Sequence, residues 1–303
     1  MKLSQTNGPL FRFYGDDITA TLTHMKRVGF RYIDVSFFSR FVPGTRYWSR
    51  PQEIIDEYKR CFDELELVPV QCHEPAGNSM GDDGGEYYMK KTPAAIAIAA
   101  AIGVPLTVVH PGNSPVPLTH DQTIEENVKA LRRLMPVAEK YNMKIALENL
   151  HNTVSTADDL VAIVDEVNHP LLGVNWDVGH ANMNGLDQYE EITKLGKRLW
   201  SLHLHDNGGP PAAHGADWHL PPFYGNINYD AILRALLAIG YAGTFNFEAD
   251  GPEQRPGRLP LVIDGETQEE KLHEMPAFLR EEADRLLYDI GKYILETYDC
   301  FSE

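Results

Sequence analysis

Carboxylates and imidazoles recur at one kind of place in this chain, the end of a short apolar run. KIALENL carries Glu148, GVNWDVGH carries Asp177 and His180, LWSLHLHD carries His203 and His205, and TFNFEAD carries Glu248. A carboxylate taken out of water at a strand end is costly unless something pairs with it. Several that converge are tolerated chiefly around a cation. Glu148, Asp177, one of His203 and His205, and Glu248 therefore read as one divalent-metal site on a barrel rim. Carboxylate oxygen with imidazole nitrogen suits Mn²⁺, Mg²⁺, Co²⁺ or Zn²⁺ and does not choose among them. Any one of these residues alone reads more simply as a hydrogen-bonded core polar group. Four at the C-terminal ends of successive strands, where barrel enzymes keep their sites, favour the metal.

Such a rim needs strands to hold it. The stretches 3–6, 31–37, 68–75, 106–112, 144–150, 172–180, 200–207 and 244–250 read as eight strands. Helix-like periodicity falls between them at 17–28, 52–65, 86–102, 125–141, 157–166, 186–195 and 229–239, with Ser155 or Thr156 as N-cap of the fifth. Near-continuous apolar strands separated by helices argue for a parallel sheet buried on both faces. Eight such units favour an α/β fold closed into a (β/α)₈ TIM barrel. An open doubly wound sheet ranks behind, because its Gly-rich phosphate turn is missing after the first strand.

Side chains alternate along a strand. His203 and His205 thus share a face that Leu204 does not, Glu148 is in phase with Ala146, and Glu248 with Thr244 and Asn246. The 303 residues suit a single domain over 1–303, with 251–303 as a C-terminal extension beyond the barrel. Within that extension, 251–264 is rich in Pro and Gly, and 266–297 reads as one long amphipathic helix covering the barrel or a subunit interface. A homo-oligomer is thereby left open. The segment 208–225 is far longer than an ordinary strand-to-helix loop and carries His214, Asp217 and His219, so a lid or site loop is expected.

Composition narrows the partners. With 27 basic against 44 acidic residues the formal charge is −17. Nucleic-acid binding leaves a basic stripe, and the densest basic stretch, Lys129 to Arg133, is one helix face. The three cysteines, Cys61, Cys72 and Cys300, are odd in number and widely spaced, as in a reducing compartment. MKLSQTNGPLF has no signal-peptide apolar core, and the longest apolar stretch, 93–109, is broken by Gly103 and Pro105. A cytoplasmic protein with no membrane partner is expected.

The runs ALEN, NWDVGH, HLHD, DWHLPPFYGNINY and FNFE resemble the motif set of the xylose isomerase-like TIM barrel superfamily, over roughly residues 1 to 250. That group contains sugar isomerases, ketose 3-epimerases, inosose dehydratases and endonuclease IV-type enzymes. The resemblance implies Glu148, Asp177, a strand-seven histidine and Glu248 as metal ligands. The family pattern His-x-x-acid favours His203, through Asp206, over His205. His73 in QCHEP, His110 in VVHPG, His180, and Asp217 with His219 fall where the endonuclease type holds three zinc ions. In sugar enzymes such positions hold substrate hydroxyls, so His73, His110, His180, His205, Asp217 and His219 are expected to contact substrate or a second metal.

The leading expectation is a metal-dependent sugar isomerase or epimerase of carbohydrate metabolism, with Glu148 and Glu248 exchanging protons with a small sugar or ketose through an enediolate. The alternatives are a multinuclear zinc phosphodiesterase of the endonuclease IV type, opposed by the acidic charge, and a dehydratase or lyase acting on a sugar-derived ketone. Trp176 and Phe223 could stack on a sugar face, although packing is the commoner role. His24, His120, His169 and His273 are expected at the surface, and Cys72 is expected to point away from His73.

Overall fold

The computed structural model describes residues 1–37, 40–210, 217–249, 262–264, 266–268 and 275–303. Eight strands form one sheet: β1 (Leu3–Thr6), β2 (Tyr32–Ser36), β3 (Val68–His73), β4 (Leu106–Val109), β5 (Lys144–Glu148), β6 (Leu172–Asp177), β7 (Leu199–His203) and β8 (Phe245–Phe247). Their order is β7-β6-β5-β4-β3-β2-β1-β8, with every named pairing parallel. Just past β7, Leu204 donates its N–H to Asn246 O and accepts from Glu248 N, each at 3.0 Å, which closes the ring into a barrel.

The helices that return the chain are α1 (Gly8–Tyr14), α2 (Ile18–Val28), α3 (Arg46–Ser49), α4 (Pro51–Leu65), α5 (Glu86–Ala101), α6 (His120–Tyr141), α7 (Ala157–Val167), α8 (Val178–Met183), α9 (Gln188–Leu195) and α10 (Tyr229–Ile239). A last helix, α11 (Ala277–Thr297), packs on α2 and β1. Among the described residues no helix is long and apolar enough to cross a membrane.

The two-residue period of the strands separates two environments. Ile33, Val35, Ile145, Leu147, Val174, Trp176, Leu202, Phe245 and Phe247 point outward into the continuous core beneath the helices. The alternate positions face the barrel axis. There Leu106, Val108 and Ala146 form a small apolar cluster against Trp200. Ser4, Asp34, Gln71, Asn175, Ser201 and Asn246 are buried polar residues of the strands. Trp176 is fully buried on the outer face, where its indole Nε1 donates to Gln188 Oε1 at 3.0 Å, so it is a packing residue and does not reach a sugar.

Several boundaries differ from the sequence reading for local reasons. Helix α6 begins at His120, five residues before the expected start, because Thr119 and Gln122 form a capping box there. Thr156, paired with Asp159, caps α7. Strand β6 ends at Asp177, whose carboxylate accepts from His180 N at 2.7 Å and starts α8 at once. The expected helix over 266–297 begins only at Ala277, behind Pro276; Glu266–Thr267 instead pairs antiparallel with Val262–Ile263. His24, expected at the surface, is buried under α11 and bonded through Nε2 to Asp284 at 2.8 Å. Cys72 is buried on the outer face among core residues, and burial pushes its thiol pKa up. His273 and His214 lie outside the described residues.

Candidate metal centre

Glu148 ends β5, Asp177 ends β6, His203 ends β7, and Glu248 directly follows β8. One ligand atom from each lies within 4.8 Å of the others. His203 Nδ1 is 3.0 Å from both Glu148 Oε1 and Glu248 Oε2. Glu148, Asp177 and His203 are fully buried. Asn149 fixes the strand end beside them: its Oδ1 accepts from Asp177 N at 2.7 Å and its Nδ2 donates to Asp177 O at 2.9 Å.

Three imidazoles close around Glu148. His73 donates from Nδ1 to Glu74 O at 3.1 Å, which turns Nε2 toward Glu148 and Glu248 at 3.9 and 3.8 Å. His110 Nε2 lies 3.3 Å from Glu148 Oε2, and its backbone N–H is held by Glu74 Oε1 at 2.8 Å. His180 donates from Nδ1 to Asn149 O at 2.9 Å and presents Nε2 to Asp217 Oδ2 at 3.5 Å.

Asp217 and His219 arrive on the long connection after β7. Asp206 organises its far part by accepting from the backbone N–H groups of Asn207, Phe223 and Ile227 at 2.9, 2.9 and 3.1 Å. Its own backbone bonds reciprocally with Leu220. His219 donates from Nδ1 to Glu248 O at 2.7 Å, leaving Nε2 3.3 Å from Asp217 Oδ2. Its ring stacks on His205 with centroids 4.0 Å apart. His205, Asp217 and His219 make a second group of converging ligand atoms. His205 Nε2 also lies 3.2 Å from Asp177 Oδ1, so the two groups adjoin. Gly179 permits this, since a Cβ there would sit 1.9 Å from His205 Cε1. Trp218 and Phe223 on this connection are more than half exposed.

The electrostatics follow from crowding. Burial opposes charge on Glu148 and Glu248, but His203 between them outweighs it and holds both carboxyls well below their usual range. The same two carboxylates overcome burial at His203 and raise it well above the ordinary imidazole value. At His180, Asp177 and Asp217 outweigh burial and push the pKa up to about 10. Burial together with His110 drives His73 down to about 4. Asp217, despite burial, is held far down by His180 and His219. Burial raises Glu74 to about 7.

The donor set fits a divalent cation. Glu148 Oε2, Asp177 Oδ2, Asp217 Oδ1 and both ring nitrogens of His205 are buried without a hydrogen bond. Carboxylate oxygens can only accept, so they cannot satisfy one another. All ten residues expected from the sequence, Glu148, Asp177, His203, Glu248, His73, His110, His180, His205, Asp217 and His219, stand on this one end of the barrel. Missed by the sequence reading were Asp34 on β2, Glu74 and Asn149. Asp34 had a signal, an acid in mid-strand within YIDVS, and Glu74 had another, an acid at the end of the run VPVQCHEP; Asn149, which positions its neighbours, had none.

The family model described as the xylose isomerase-like TIM barrel matches residues 22–281. The chain belongs to that family. It is 33% identical over 221 residues to an uncharacterised protein of Methanocaldococcus jannaschii, covering 68% of this chain and 71% of that one. An inosose isomerase of Halalkalibacterium halodurans is 23% identical over 249 residues, covering 78% and 84%. The crystal structure of the IOLI protein with a bound zinc atom superposes with a TM-score of 0.78 over the full length of both chains at 20% identity, a likeness of fold.

Proposed function

We propose that this protein is a metal-dependent isomerase or epimerase of a small sugar or polyol-derived ketone. The observation that carries the reading is the pair Glu148 and Glu248, which reach the same imidazole nitrogen at 3.0 Å from strands three places apart in the ring. The inosose isomerase relative and the zinc-bound IOLI neighbour support it.

Glu148, Asp177, His203 and Glu248 would hold the cation, with chemistry that polarises carbonyl and hydroxyl oxygens and acidifies the adjoining C–H. One of the two glutamates takes that proton and the other, ionised beside protonated His203 in the metal-free fold but protonated in the loaded site, returns one to the neighbouring position or the opposite face. Their surroundings differ, as this division of labour needs: Glu148 is sealed, whereas the Glu248 side chain is 19% exposed. His73, His110 and His180 line the same space and hold substrate hydroxyls. Among the described residues the rim carboxylates pair with histidines and not with Lys or Arg, which favours a neutral substrate over a phosphorylated one.

A second reading rests on His180, Asp217 and His219, whose facing atoms stand 3.5 and 3.3 Å apart and could hold further zinc, as in a phosphodiesterase. Incubating the Mn²⁺- or Zn²⁺-loaded protein with inososes and ketohexoses in D₂O separates the two. Deuterium entering the carbon beside the carbonyl, and lost in Glu148→Gln, supports isomerase chemistry. Cleavage of abasic DNA without any such exchange would move the assignment to the second reading.

A further inference from the structure

Beneath the metal centre the barrel keeps a carboxylate that the proton-transfer chemistry does not use. Asp34 lies in mid-β2, facing the barrel interior and fully buried. Gln71 Nε2 from β3 and Asn246 Nδ2 from β8 donate to its Oδ2 at 3.2 and 3.0 Å, while Oδ1 makes no hydrogen bond. Two neutral amides clamp the group in place without neutralising it. Among the described residues the one basic group within ion-pair distance is His203, whose Nε2 stands 3.7 Å from Asp34 Oδ2.

His203 is thus held between carboxylates at both ring nitrogens. Nδ1 faces Glu148 and Glu248, and Nε2 points down to Asp34, buried and without a hydrogen bond. A neutral imidazole that gives one nitrogen to a cation carries its proton on the other, and that N–H needs an acceptor. The span to Asp34 suits one bridging water or a small rotation of the ring. Asn246 Oδ1, Asn175 and Ser201 Oγ nearby along the interior are also buried without partners, a polar setting in which water has several groups to bond.

We propose that Asp34 is a positioning residue of the metal centre. It accepts the Nε2–H of His203, directly or through one buried water, and so fixes the tautomer and ring plane that present Nδ1 to the cation. The inference rests on the reading of Glu148, Asp177, His203 and Glu248 as the cation site, and adds which His203 nitrogen is the ligand and what holds it there.

Two measurements test it without any substrate. In the Zn²⁺-loaded wild-type protein, ¹⁵N–¹H correlation of the histidine rings is expected to find the His203 proton on Nε2. A proton on Nδ1 would overturn the proposal, and this arm needs no variant to fold. Competition against a chromophoric chelator should show Asp34→Ala binding Zn²⁺ about 10- to 100-fold more weakly than wild type. Asp34→Asn, which keeps the volume and one acceptor, should recover part of the loss. The Co²⁺ absorption bands should shift in Asp34→Ala, which a merely structural role would not cause once circular dichroism shows the native fold. Wild-type affinity and an unchanged Co²⁺ spectrum in a folded Asp34→Ala would overturn this inference alone. Failure of the wild-type protein to bind Zn²⁺ or Co²⁺ would overturn it together with the metal-site reading.

Discussion

The rim is built in two halves that the chain supports differently. Glu148, Asp177 and His203 end strands and are fully buried, and Glu248 follows a strand directly. Asp217 and His219 come in on a connection, with side chains 30% and 21% exposed. The strand-borne half inherits its geometry from the barrel, whose register is fixed by hydrogen bonds on both sides of each strand. The loop-borne half depends on a few local contacts, chiefly Asp206 and the bond from His219 to Glu248 O. The first group is therefore held by the barrel itself, the second by a handful of local hydrogen bonds.

Glu148→Gln and Glu248→Gln should have the largest effects. Each keeps side-chain volume but loses basicity and a cation ligand, so turnover should fall by about 10³-fold or more with the fold retained. Near-normal rates in either variant would show that the strand-borne half does not carry the chemistry. Asp217→Asn tests the loop-borne half. It should lower activity by about 10- to 100-fold while the tightly held cation stays in place. Loss of that cation would erase the distinction between the halves.

Removing metal with EDTA should lower both activity and melting temperature, because Glu148, Asp177 and Glu248 then repel one another at close range. Mn²⁺, Co²⁺, Zn²⁺ or Mg²⁺ should restore them; unchanged melting after verified removal would speak against a shared site. Cation affinity should also depend on pH in a stated direction. In the metal-free fold His203 is raised above its ordinary value and keeps its proton at neutral pH. Binding must release that proton, so affinity should rise by about tenfold per pH unit until the folded-state pKa is reached. Flat affinity from about pH 6 to about pH 8 in a chelator competition would contradict this. At the small end, Thr119→Ala in the capping box of α6, a residue bonded to Gln122 and Thr123 and to none of the metal-ligand candidates, should cost about 1 kcal/mol of stability and leave kcat unchanged.

The barrel and the strand-borne half were legible because both follow the strand period. Apolar residues alternate outward at 145, 147, 174, 176, 245 and 247, and the chemistry falls on the other phase. The same alternation, applied to Trp176, would have removed it from the candidate sugar contacts. Less legible was whatever depends on partners distant in sequence. His24 looked like a surface helix residue until α11 covered it, and Asp34 gained meaning only when β2, β3, β7 and β8 met around it. Boundaries set by a local cap, such as Thr119 before α6 and Asp177 before α8, were blurred because hydrophobic period alone does not mark them.

Metal content per chain tests the central claim most directly. Protein purified without chelators and dialysed should be analysed by elemental and native mass spectrometry, beside Glu148→Gln. One divalent cation should survive dialysis in the wild-type protein and be lost from the variant. No retained cation under any loading condition, or three zinc ions held with equal tenacity, would contradict it.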